Sequence, residues 1–159
     1  MIRAAALLAL MASPALAQDA DPANQLVEGY VACLHGGGDV AATEAILNAV
    51  GWARGEGGED GLVYFNPAVG EDTQIYMADD GSFCHVESFS IGTEAASQIL
   101  IATSEGDASI PFEPSKDEDG CTQFIFAEKV SATLTSGGND PVCASDTDSG
   151  VRFAPVAQE

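Results

Sequence analysis

A chain of 159 residues with 25 acidic and 5 basic side chains, a net charge of −20, is too short for a large multidomain enzyme. It also carries the wrong sign for a nucleic-acid binder, because holding a phosphate backbone depends on Lys and Arg displacing counterions.

Taken from the N-terminus, Met1-Ile2-Arg3 gives a short positive start, Ala4 to Ala12 is an unbroken apolar run, and Ser13-Pro14 interrupts it. Ala15-Leu16-Ala17 then supplies small residues at the spacing signal peptidase reads. The pattern predicts a cleaved signal peptide over residues 1–17, too short to span a bilayer. No cysteine follows the cut directly, so no lipid anchor is expected. The remaining 142 residues keep all 25 acidic side chains and 4 of the basic ones, Arg54, Lys116, Lys129 and Arg152, for a net charge of −21. Leu, Ile, Val and Phe together number 31 of these 142, just above the ~20% level below which a highly charged chain tends not to fold. One soluble domain over 18–159, in the periplasm or outside the cell, is the expectation.

Asp21-Pro22 opens a helix, with an Asp cap and Pro at the first helical position. Leu26, Val27, Tyr30, Val31 and Leu34 follow at helical spacing, and Gly36-Gly37-Gly38 stops it. Asp39 caps a second helix with Ile46, Leu47 and Val50 as its apolar face. Trp52 reads as a packing anchor. Residues 54–61 lack any apolar side chain and read as a mobile loop. Leu62 to Phe65 and Gln74 to Met77 are rich in β-branched and aromatic residues and read as strands. Asp79-Asp80-Gly81 turns the chain into a returning strand over 82–88, with Cys84 and Val86 on one face and Phe83, His85 and Glu87 on the other.

Thr93 is read as the cap of a third helix, whose shared face holds Ala96, Ile99, Leu100 and Thr103. Residues 106–120, with two prolines and the run Lys116-Asp117-Glu118-Asp119-Gly120, are expected to form a long surface connection. Phe124, Phe126, Val130, Ala132 and Leu134 share one parity, which suits either a single long strand over 121–135 or a hairpin around Glu128-Lys129. Residues 136–140 turn the chain, and Val151 to Phe153 is read as a last short strand. The order ααβββαββ(β) predicts an α+β fold, an antiparallel sheet with helices on one face.

Cys33, Cys84, Cys121 and Cys143 form an even set, and export favours disulfides. The preferred pairing is Cys33–Cys84, tying the first helix to a strand, with Cys121–Cys143 bracketing the candidate hairpin. His35 and His85 sit beside the first pair, but adjacent Cys84-His85 fits zinc-ligand spacing poorly.

No G-x-S-x-G, P-loop, G-x-G-x-x-G or H-E-x-x-H motif is present. Asp148-Ser149-Gly150 spells the triplet of aspartic proteases, yet polar Asp146-Thr147 precedes it where that family needs an apolar strand. It reads as a turn in an acidic tail. No catalytic, cofactor or metal residues are assigned on this basis. The carboxylate clusters Asp79-Asp80, Asp117-Glu118-Asp119 and Asp146-x-Asp148 leave calcium as an alternative. The composition favours a non-enzymatic, monomeric binding protein of the bacterial envelope that engages a cationic protein. The alternatives are a small exported hydrolase using His35 or His85, and a calcium-loaded structural protein.

Overall fold

A computed structural model describes residues 21–55, 61–106, 111–127, 129–138 and 141–156. The signal segment lies outside these residues, as do residues 56–60 of the 54–61 stretch.

Helix α1 (Pro22–Gly36) begins where the Asp21 carboxylate accepts from the Ala23 N–H at 3.0 Å, and ends with Gly37 in the left-handed conformation. Helix α2 (Val40–Ala49) begins at Asp39, whose Oδ1 accepts from the N–H groups of Ala41 and Ala42. Both caps satisfy amide groups that have no partner inside a helix. The short strand β1 (Ala53–Arg54) is followed by β2 (Leu62–Asn66), β3 (Thr73–Ala78) and β4 (Cys84–Ser88). Helix α3 (Thr93–Gly106) precedes β5 (Phe112–Lys116), β6 (Thr122–Phe126), β7 (Val130–Thr135) and β8 (Ser149–Pro155).

All eight strands join one antiparallel sheet in the order β1-β2-β3-β4-β8-β7-β6-β5. The expected α+β class, the antiparallel sheet and both disulfides are present. The sheet is larger than expected at two points, and one alternative left open is decided. Arg54 pairs with Phe65 in β1. Residues 112–116, inside the expected surface connection, form the edge strand β5. Its exposed Pro114 and flanking charges suit an edge, where a missing N–H costs no ladder bond and charge discourages strand addition. Residues 121–135 form a hairpin in which Phe126 pairs with Val130 and Phe124 with Ala132. A three-residue connection keeps paired residues on one face, so the shared parity fits a hairpin as well as a single strand.

The last of the described strands in chain order, β8, lies at the centre of the sheet between β4 and β7. Ser149 and Gly150 belong to its first residues, so the Asp-Ser-Gly triplet enters a buried strand instead of forming a turn.

The core lies between the sheet and the three helices. Ile75, Val86, Val151 and Leu134 stand in register across four strands and are almost fully buried. Against them pack Leu26 and Tyr30 of α1, Leu47 of α2, and Ala96 and Leu100 of α3. Val27 and Val50, expected on the apolar helix faces, are exposed, and small or polar Ala32, Thr43 and Ser104 take inner positions. Trp52 is buried as expected, its indole N–H donating to Glu28 Oε2 at 2.7 Å. Thr93 does not act as the α3 cap. It is the first residue of the helix, and its hydroxyl exchanges hydrogen bonds with the backbone of Ser145, fastening α3 to the loop before β8.

Cys33–Cys84 joins the end of α1 to the start of β4, with Cα atoms 5.7 Å apart. Cys121–Cys143 joins the start of the hairpin to the loop that follows it, with Cα atoms 4.7 Å apart. Beside the first bridge the α1–α2 loop meets the β3–β4 turn. Gly38 and Gly81 both take positive φ there, and a Cβ on Gly38 would lie 2.7 Å from the Gly81 carbonyl oxygen, so both positions require glycine.

Candidate functional site

Alternation along each strand sends every second side chain away from the helices. Tyr64, Tyr76, His85, Arg152, Thr133 and Gln123 stand in register across β2, β3, β4, β8, β7 and β6, forming a row on the face left uncovered by the described helices. The Tyr64 and Tyr76 ring centroids are 5.8 Å apart. The Tyr76 and His85 rings stack at 4.6 Å with 23° between their planes. Phe83 meets Tyr76 edge-on at 6.2 Å, and the Arg152 guanidinium lies 4.3 Å above the Phe83 centroid.

The His85 ring can lie across β8 because residue 150 is glycine. A Cβ there would sit 2.7 Å from His85 Nε2. Glu87, two residues on, is buried, and its Oε1 accepts from the Gly138 N–H at 2.6 Å. The Gly137 N–H donates to Asp148 Oδ1 at 3.2 Å. These two carboxylates hold the loop after β7 at one margin of the row. Between that loop, the β5–β6 turn and the row lies a recess of about 380 Å³, walled by Tyr76, Phe83, His85, Thr133, Thr135 and Arg152.

Desolvation, aided by the positive Arg152, lowers the His85 pKa to about 4, so its imidazole is neutral at physiological pH. Burial, reinforced by Glu87 and Tyr64, raises the Tyr76 phenol to about 12. Arg152 is therefore the permanent positive charge of the recess. Among the described residues it makes no ion pair and donates no hydrogen bond. The one basic residue for which an ion pair appears there is Arg54, 3.1 Å from Glu44 on the helical side.

The sequence-predicted residues distribute as follows. Cys33 and Cys84 are oxidised to each other, so they cannot serve as thiolate zinc ligands. His35 lies exposed in the last turn of α1, while His85 faces away from the helices, so the two histidines do not share a site. The imidazole of His85 has no hydrogen-bond partner among the described residues. A nucleophile, a base and an orienting group in sequence are therefore not assembled around it there.

The carboxylate clusters act in turns. Asp80 Oδ1 accepts from the Ser82 N–H, and this hydrogen bond holds its pKa below the usual carboxylate range. Asp117 Oδ1 accepts from the N–H groups of Asp119 and Cys121. Among the described residues, no group of three or more His, Cys, Asp and Glu side chains is arranged to hold a metal ion. Also among them, no helix is long and apolar enough to cross a membrane.

Arg152, Tyr76 and Phe83 were not singled out by sequence reasoning. The available signal was an arginine alternating with Val151 and Phe153 in a chain with five basic residues. Its partners come from strands up to 76 positions away and could not be read locally. No protein-family model, curated protein or solved structure matches this chain significantly.

Proposed function

We propose that this is an exported, non-enzymatic binding protein whose acidic surface draws a cationic protein partner to it. One observation carries the reading: in residues 18–159, 25 acidic side chains stand against 4 basic ones, so most of the negative charge has no basic counterpart in the chain. Glu113, Glu118 and Asp119 add exposed charge along β5 and the turn that follows it. A field of this size accelerates encounter with basic proteins and repels acidic ones. The two disulfides suit an oxidising compartment outside the cytoplasm.

The test is capture of partners by residues 18–159 from envelope extract at low salt, eluted by a salt gradient, followed by association kinetics. Binding should weaken steeply with salt, because exposed charges are screened beyond ~8 Å at physiological ionic strength. Glu118→Gln with Asp119→Asn should slow association several-fold and leave dissociation nearly unchanged; Asp117 is left intact because it holds the turn. A complex indifferent to salt would overturn this reading.

A second reading, a small hydrolase, has one supporting observation: His85 presents a neutral imidazole to a recess. A pKa of about 4 makes that imidazole a weak base at neutral pH.

A further inference from the structure

We propose that the recess on the uncovered face is a binding site for a small planar carboxylate, such as an aromatic acid, paired with Arg152. The site is distinct from the acidic surface and does not depend on the reading above.

Three features define the ligand. First, Arg152 is a guanidinium without an acidic partner among the described residues, in a chain where carboxylates outnumber basic groups fivefold. Its guanidinium carbon lies 4.3 Å from the Phe83 ring centroid, a contact that holds the group in place while its N–H donors remain for an acceptor. A carboxylate matches that fork in two parallel hydrogen bonds. Second, the Thr133 hydroxyl beside Arg152 accepts from Gln123 Nε2 at 3.0 Å, so its own proton remains to be donated. Third, the stacked Tyr76 and His85 rings line the recess beside Arg152, an aromatic lining that suits a ring. A recess of about 380 Å³ accommodates a single-ring acid. Asp117 also lines the recess, with its Oδ1 accepting the N–H groups of Asp119 and Cys121, so part of its charge is engaged in the turn.

The test is titration of the oxidised protein with benzoate, benzamide and benzylamine by heteronuclear NMR. Benzoate is expected to bind and to shift the amides of Gly150, Arg152 and Thr133. Benzamide should bind about tenfold more weakly or worse, and benzylamine should not bind in the recess. Arg152→Gln should lose benzoate affinity by a similar factor, and Arg152→Lys should recover only part of it. Arg152 is exposed, so both variants should retain the wild-type amide spectrum away from β8; if Arg152→Gln does not, Thr133→Val replaces it with the same expected direction. Affinity for benzoate should hold or rise with salt, which screens the protein's negative field more than a close ion pair. That trend is opposite to the one expected for a basic partner, so the two proposals fail separately. Equal binding of benzoate and benzamide, shifts mapping elsewhere, or no benzoate binding at millimolar concentration would each overturn the proposal.

Discussion

Phe65 and Tyr64 are neighbours in β2, yet they face different environments. Phe65 is fully buried under the helices, whereas Tyr64 stands on the face that none of the described helices covers. The same contrast runs through the centre of the sheet. The covered row Ile75, Val86, Val151 and Leu134 is apolar throughout, while the adjacent row Tyr76, His85, Arg152 and Thr133 is aromatic and polar. The covered row supplies burial, at about 25 cal/mol for each Å² of apolar surface removed from water. The uncovered row contributes less of that and is free to carry recognition chemistry. Core burial and the proposed carboxylate site thus fall on opposite faces of one sheet.

The largest expected effects come from the two bridges, one tying α1 to β4 and the other tying the hairpin to the loop that follows it. Cys33–Cys84 closes a separation of 51 residues and Cys121–Cys143 one of 22. Loop-closure entropy then assigns about 4 kcal/mol to the first and about 3 kcal/mol to the second. Urea unfolding of the two paired Cys→Ala variants should rank them in that order. A larger loss from the Cys121–Cys143 pair would mean that the hairpin side holds the fold together.

The two faces can also be compared directly within β2. Phe65→Ala should cost about 3–5 kcal/mol, a transfer term plus a cavity. Tyr64→Ala removes one ring contact with Tyr76 and should cost about 1 kcal/mol. Equal losses would contradict the division of labour.

These contrasts show which parts of the structure were legible in the sequence. The Asp21 and Asp39 caps, the Gly37 stop and the Asp79-Asp80-Gly81 turn are local, and each is a short-range hydrogen-bond or φ requirement written into adjacent residues. The core strands were legible because alternation marks a half-buried sheet. The disulfide pairing was one of three possible and was preferred for the elements the cysteines join, and the structure has it. β5 was missed because an edge strand with one partner needs neither a buried face nor a full set of N–H groups. The central position of β8 was missed because pairing order is decided between segments. That placement brings Arg152 beside His85, so the row and its recess were hidden for the same reason.

Acid titration offers a smaller effect, confined to the uncovered face. His85 has its pKa lowered to about 4 in the folded state, against 6.5 when unfolded. The unfolded chain therefore binds the extra proton first, and the stability present above pH 6.5 is lost as pH falls towards 4. The loss is at most about 3 kcal/mol, and less to the extent that water reaches the ring. His85→Gln should remove this part of the slope, seen as the difference between urea midpoints of the two proteins from pH 7 to pH 4. Parallel curves would mean that the imidazole protonates freely on the uncovered face.

The smallest effect concerns a hydroxyl of α1, packed against the covered face. Tyr30 is fully buried, its ring 5.8 Å from Phe153, and its OH has no hydrogen-bond partner among the described residues. Desolvation pushes its pKa well above the usual phenol range, so it stays protonated in the folded state. An unpaired buried hydroxyl costs about 1–3 kcal/mol of lost hydration, whereas the ring around it contributes favourable burial. Tyr30→Phe keeps the ring and removes the cost, so stability should be unchanged or higher by about 1 kcal/mol. The gain should widen above pH 10, where the unfolded tyrosine ionises and the buried one does not, so that stability is lost as pH rises in the wild type. Tyr76→Phe, on the uncovered face, should show a smaller neutral-pH gain, because its phenol is only partly withdrawn from water. A loss of more than about 1 kcal/mol in Tyr30→Phe would show that the hydroxyl is hydrogen-bonded in solution, and the covered face would then hold a polar contact of its own.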